Sequence, residues 1–161
     1  MAYKMLQTGK SLSTFAEIIF VANLKKIEVE AGEQTPSVLL DKEKGIFKIE
    51  GFSFSDNPHI FYAPVVDWFK EYCNSPNEET QVVFNFVYVN STSVKFINDI
   101  LKLLDGLFVK GKTAGVTWHM NPDDEDIEQL GLELKGLHAV PFKIEPKDPG
   151  RPEPPKKKFL G

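Results

Sequence analysis

The run TQVVFNFVYVN, residues 80–90, constrains the fold more than any other stretch. It is β-branched, aromatic or aliphatic almost throughout, with little of the polar alternation a half-exposed strand shows. That composition marks a strand in the middle of a sheet, buried on both faces. Two residues beyond it begins SVKFINDILKLLDGLFVKG, in which Val94, Ile97, Leu101, Leu104 and Phe108 recur at helical spacing and Phe96, Ile100 and Leu107 widen the seam. Gly111 is a fitting stop for that helix. A buried strand feeding an amphipathic helix implies a crossover connection, and so a sheet that is at least partly parallel.

The rest of the chain extends this pattern. KIEVEAG is a short strand candidate, and SVLLDKEKGIFKIEG reads as a hairpin whose charged turn ends in Gly45. In FSFSDNPHIFYAPVVDWFKEYC, Asp56 or Asn57 is placed to cap a helix with Pro58 at its first position. Phe61, Val65, Trp68, Phe69 and Tyr72 give that helix one apolar face, while Pro64 predicts either a later start or a kink. NSPNEET is a loop, TAGVTWHM a strand, PDDEDIEQLGLELKGL a helix and VPFKIEP a last short strand. The expectation is a single α/β domain: an N-terminal β-hairpin, then alternating helices and strands in the order β-β-α-β-α-β-α-β, with helices packed on a mixed sheet. Its bounds are 26–146. An arm, 1–25, has periodicity too weak to fix a structure, and residues 147–161 read as a flexible tail rich in Pro and Lys.

Charge and composition narrow the function. The whole chain carries −4, but from Lys147 onward five cations face two acids, so the remainder stands at −7. A body that acidic disfavours nucleic acid as a partner, because phosphate backbones need clustered Lys and Arg. No run approaches the roughly 18–20 apolar residues of a membrane span, and no convincing signal peptide precedes the domain. The single Cys73 permits no internal disulfide and suits a reducing compartment, so the expected location is the cytoplasm. No Gly-rich phosphate loop of the Walker or dinucleotide type is present. His59, His119, His138 and Cys73 show no metal-ligand spacing, and the acids Asp123 to Asp126 lack the alternating ligands and glycine of a calcium loop. Asp67 and Asp99 lie on separate helices with nothing to mark a paired-carboxylate hydrolase. The expectation is a protein without catalytic residues, metal or cofactor.

One junction stands out. Between the buried strand and the strongest helix lies NSTS, with Ser91, Thr92 and Ser93 in succession. A single hydroxyl suffices to cap a helix. Three of them at a helix's positive end also form a place for an anion or a phosphoryl group, and Lys95 in the first turns opposes the dipole unless an anion is near. Capping and phosphorylation both fit.

Several phrases together resemble the SiaC-type regulatory phosphoproteins, small bacterial proteins with a fold similar to STAS domains. They are TPSVLLDKEKGIFKIEGFSFSDN, HIFYAPVVDWFKEY, VVFNFVYVNSTSVKFINDILKLLDGL, VTWHM and LHAVPFKI, spread over residues 35–144. The resemblance implies a STAS-like fold and a switch in place of an enzyme. In that family the first hydroxyl after the Asn is phosphorylated by a histidine-kinase-like Ser/Thr kinase of ATPase type and dephosphorylated by a PP2C-type phosphatase. The unphosphorylated form activates a diguanylate cyclase, raising cyclic di-GMP, which links it to biofilm and aggregation control. Carried over, the acceptor is Ser91, with Thr92 and Ser93 as alternatives because Ser stands where the family has Thr. Asn90, Lys95, Tyr88, Asn57 and Tyr62 are the expected phosphosite neighbours and partner-binding residues. The competing expectations are a small-ligand-binding domain of the same fold, with its ligand near the end of the central strand, and a partner switch of the anti-sigma-factor-antagonist type.

Overall fold

A charged turn closes the first hairpin in the manner its sequence requires. Strand β2 (Ser37–Asp41) runs into β3 (Ile46–Ser53), and between them Gly45 takes φ 65°, a conformation costly for a residue with a Cβ. The turn is held by the Asp41 carboxylate, which accepts from Lys44 N at 3.0 Å. The computed structural model describes residues 24–148 and 150. The N-terminal arm expected for 1–25 and the tail expected for 147–161 therefore lie almost wholly outside the described residues.

The described chain continues as α1 (Pro58–Asn74), β4 (Glu79–Val89), α2 (Ser91–Val109), β5 (Thr113–Met120), α3 (Glu125–Leu137) and β6 (Phe142–Pro146), with β1 (Ile27–Val29) ahead of the hairpin. The KIEVEAG segment thus forms β1, which pairs antiparallel with β2 along the sheet edge. The six strands lie in sequence order: β1, β2 and β3 are antiparallel, and β3 to β6 are parallel. This is the expected single-domain mixed α/β architecture with β4 inside the sheet.

Each helix begins and ends for a readable reason. Pro58 opens α1, where its missing N–H removes no bond, and the helix runs unbroken through Pro64. Neither a late start at Pro64 nor an interruption there occurs. Helix α2 ends in a Schellman motif: Gly111, at φ 80°, donates to Phe108 O, and Lys112 N reaches back to Leu107 O. In α3 the acidic run is a helix start, since Asp124 accepts from Ile127 N at 3.1 Å and Glu125, Asp126 and Glu128 occupy the positive end.

One core holds these elements together. Val38, Leu40, Phe47, Ile49, Val82, Phe84, Phe86, Val116 and Trp118 alternate toward one face of the sheet and bury against α1, α2 and α3. Sequential parallel strands joined by right-handed crossovers put every helix on the same side, and the core follows that rule. Expectation and structure differ here: β4 reads as covered on both faces, yet among the described residues only one face carries helices.

Two devices shape the sheet near the end of β4. Its register with β3 slips, so that Gly51 pairs with Phe86 but Phe52 pairs with Tyr88, leaving Val87 as an extra residue. Such a bulge re-aims the side chains beyond it. Without it Tyr88 would continue the inward series of Val82, Phe84 and Phe86. With it Tyr88 joins Phe52 on the helix-free face, and Val89 turns inward beside Ser53.

Candidate functional site

The NSTS junction is built from the end of β4 inward. Asn90 N donates to Ser53 O at 2.9 Å, the last link between β4 and β3. Asn90 then stays extended, at φ −84° and ψ 163°, and helical geometry begins at Ser91. Asn90 Oδ1 accepts from Ser93 N at 2.9 Å and from the Thr92 hydroxyl at 3.0 Å. The cap is therefore the Asn90 carboxamide, not a hydroxyl. Asn ranks with Ser among capping residues, so the signal was present in the sequence one place before the hydroxyls.

The three hydroxyls sit in different surroundings. Ser93 is fully buried and its Oγ makes no hydrogen bond among the described residues. Thr92 is exposed, with its hydroxyl committed to the cap. Ser91 is exposed at the first helical position, and no bond that holds the turn uses its side chain. The first turn of α2 holds no acid. Lys95, one turn beyond Ser91 and on the same side of the helix, is exposed and has no ion pair among the described residues.

Helix α1 starts at the same edge, after the neighbouring parallel strand β3. Asn57 occupies its N-cap position, but the side chain makes no capping bond; only its backbone N donates, to Ser55 Oγ at 3.2 Å. The expected cap at Asn57 is thus a cap by position alone. Tyr62 is placed differently from a surface contact. It is buried, with its hydroxyl 2.6 Å from Ser53 Oγ and its ring stacked on Phe96 at 5.4 Å, so it supports the junction from below. Burial pushes its phenol up to about 12, against the opposing pull of the Ser53 hydrogen bond. Tyr88, by contrast, is half exposed and edge-on to Phe54 at 6.0 Å, which in turn meets Phe52 at 6.2 Å. Ile60 in the first turn of α1 is 72% exposed, and neighbouring His59 lies against Phe96. Aromatic and aliphatic surface therefore surrounds the start of both helices, and Phe54 and Ile60 are members of it that the sequence did not single out.

The other titratable groups stand apart. His138 is buried between Asp105 and Asn98, with Nδ1 2.7 Å from Asp105 Oδ2 and Nε2 2.8 Å from Asn98 Oδ1. Burial raises the Cys73 thiol to about 11, which keeps it protonated and unreactive at neutral pH. Among the described residues no group of three or more His, Cys, Asp or Glu is placed to hold a metal ion, and no helix is long and apolar enough to cross a membrane.

The family model for SiaC family regulatory phosphoproteins matches residues 29–147, which contain the whole junction. The chain belongs to that family. An uncharacterised protein of Pseudomonas aeruginosa strain UCBPP-PA14 is 23% identical over 125 residues, 78% of this chain and 99% of that protein. Among solved structures, apo-SiaC from Pseudomonas aeruginosa matches with a TM-score of 0.69 at 23% identity, covering 75% of this chain and 98% of that one. A chain of the crystal structure of the diguanylate cyclase SiaD in complex with its activator SiaC, also from Pseudomonas aeruginosa, matches with a TM-score of 0.71 at 23% identity, covering 75% of this chain and 99% of that one. Those likenesses establish the fold. The family establishes a regulatory phosphoprotein.

Proposed function

We propose that this SiaC-family protein is a non-catalytic cytoplasmic switch in which phosphorylation of Ser91 decides whether it engages a diguanylate cyclase. The observation that carries the choice of residue is the division of labour at the junction: Thr92 is bonded to the cap, Ser93 is buried, and Ser91 is exposed and uncommitted. A phosphate on Thr92 would set a dianion against the acceptor Asn90 Oδ1 and break the cap. Phosphate on Ser91 instead meets the positive end of α2 and the Lys95 ammonium. The writer and eraser are a histidine-kinase-like Ser/Thr kinase and a PP2C-type phosphatase.

The docking surface is the apolar ground around that hydroxyl, Tyr88, Phe54 and Ile60, flanked by Lys95. A phosphate adds about −1.5 to −2 charges there. Desolvating that charge against an apolar or acidic partner surface costs a few kcal/mol, enough to change occupancy by orders of magnitude without moving the fold. What supports the cyclase as the partner is the named pair of diguanylate cyclase and activator among the structural neighbours. A cleft of about 640 Å³ lined by Gln81, Thr117, Leu132, Lys135, Lys143 and Pro146 lies away from the end of β4, so it does not support a ligand at that place.

The test is phosphate mapping by mass spectrometry after incubation with ATP and the histidine-kinase-like Ser/Thr kinase of the same genome, followed by binding of Ser91→Asp and Ser91→Ala to the cyclase. Phosphate on Ser91 and at least about tenfold weaker binding of the Asp variant are expected. Phosphate on Thr92 or Ser93 alone, or equal binding of the two variants, sinks the proposal.

A further inference from the structure

We infer that this chain pairs with a second copy of itself through the outer edge of β6 and the flank of α3 beside it. Strand β6 ends the sheet on one side and bonds only to β5 among the described strands. Val116 N donates to Pro141 O at 2.8 Å and Lys147 N to Met120 O at 2.9 Å, so the odd-numbered positions of β6 turn their backbone groups toward β5. Those of Phe142 and Ile144 therefore point off the edge. When two β6 strands lie antiparallel with Ile144 opposite Ile144, these residues exchange both of their backbone bonds, and Phe142 N–H of each chain reaches the partner's Pro146 O. Pro146 has no N–H to give in return, but it is the last residue of the strand, so the unanswered Phe142 carbonyl lies at the rim of the pair.

Charge selects this register and this occupant. Ile144 packs toward the core, so Lys143 and Glu145 flank it on the helix-free face, where they form an ion pair within one chain. In the antiparallel pair each Lys143 instead faces the partner's Glu145 at a non-hydrogen-bonded position, where Cα atoms stand about 4.5 Å apart and opposite charges attract. An unanswered Lys keeps other strands off a sheet edge, but here every Lys has an acid opposite. Helix α3 repeats the arrangement independently. Glu128, Leu132 and Lys135 follow at four- and three-residue steps along one side of the helix, and all three line the same cleft as Ile144. Leu132 is 49% exposed there. A two-fold axis normal to the sheet beside Ile144 sets α3 antiparallel to the partner's α3 on the same side of the sheet, so Leu132 meets Leu132 and Glu128 meets Lys135. One axis thus satisfies two self-complementary patterns on separate elements. Ser91 and Tyr88 lie at the end of β4, inside the sheet and away from this edge, so each pair presents two copies of the proposed switch.

Sedimentation equilibrium of the full-length chain over about 5–500 µM, the range in which a small interface dissociates, should give a monomer–dimer equilibrium built on the 18.2 kDa chain. Lys143→Glu and Glu145→Lys each set like charges against each other across the pair, and each should weaken self-association by at least about tenfold. Their side chains are 74% and 30% exposed, so the fold tolerates both changes. Mixed in equal amounts, the two variants should associate again as a heterodimer, because every charge then faces its opposite. Glu128→Lys mixed with Lys135→Glu should behave in the same way. A parent chain that stays monomeric over that range overturns the inference. So does a dimer that survives both charge reversals at β6, or a mixture of those two variants that fails to associate, since either result assigns the contact to another surface.

Discussion

Removing the Asn90 carboxamide should cost stability that removing the Ser91 hydroxyl does not. Asn90 Oδ1 closes two bonds, to Ser93 N and to the Thr92 hydroxyl. Loss of an N-cap side chain costs about 1 kcal/mol, within roughly 0.5–2. The Thr92 hydroxyl is exposed and rebonds to water, so its share is a few tenths at most. Asn90→Ala should therefore lose about 1–1.5 kcal/mol, which with a urea slope near 2 kcal/mol per molar moves the midpoint by roughly half a molar. Ser91→Ala should stay within about 0.5 kcal/mol of the parent, since its hydroxyl closes nothing. Thr92→Val should cost a few tenths in the parent and nothing in the Asn90→Ala background, because its only partner there is gone. Paired urea titrations of the parent, the three single variants and the Asn90→Ala/Thr92→Val double variant, at unchanged slope, measure all of this. A Ser91→Ala loss as large as that of Asn90→Ala would mean that the hydroxyl is the cap, and it would remove the reason for calling Ser91 available to a kinase.

Other consequences are as specific. Asp105 accepts from His138 Nδ1, Ala139 N and Val140 N, tying the chain after α3 to α2. Asp105→Asn should lose about 2–3 kcal/mol, discounted from a fully buried pair because Asp105 is 23% exposed, and lower the Tm by roughly 5–10 °C; a shift under about 2 °C would show that the tie contributes little. Gly131 lies under Trp118, where an added Cβ would stand 2.6 Å from Cδ1, whereas at Gly136 it would meet nothing within 4 Å. Gly131→Ala should destabilise by about 1–3 kcal/mol and disturb Trp118 fluorescence, while Gly136→Ala stabilises by up to ~1 kcal/mol. Equal effects at the two glycines would contradict the packing. Tyr62, raised to about 12 by burial, holds its proton in the folded chain after an unfolded chain has lost it. Its contribution is complete below about pH 10 and is lost as pH rises toward 12, roughly 2–3 kcal/mol in all. Urea midpoints between about pH 9 and 11 should fall less steeply for Tyr62→Phe, and parallel slopes would refute the assignment.

The strand and helix meeting at Asn90 were legible because their composition admits few alternatives. A run such as VVFNFVYV has no polar face to leave in water, and Ile97, Ile100, Leu101 and Leu104 admit only a helix packed on one side. The acidic start of α3 and the glycine stop of α2 were equally plain, since each residue type answers one unsatisfied backbone group. Contact between elements could not be read in the same way. The carboxylate of Asp105 meets His138 across 33 positions, and the Ser53 hydroxyl meets Tyr62 only because β3 and α1 pack. Composition also read β4 as covered on both faces, whereas among the described residues helices cover only one.

The bulge at Val87 is the most consequential of the hidden features. Nothing in VYVN marks an extra residue, because the slip is set by pairing with β3, where Gly51 adopts φ 119° opposite Phe86. Yet that slip decides two things at once. It turns Tyr88 outward, so the aromatic beside the proposed phosphosite belongs to the surface, and it carries the last bond of the sheet to Asn90 N. Since the strand lets go at Asn90, the cap falls to Asn90 as well, and each hydroxyl shifts one place from the role that a serine cap would give it. Ser91 is left without a structural task because of a register set 35 to 40 residues earlier in the chain.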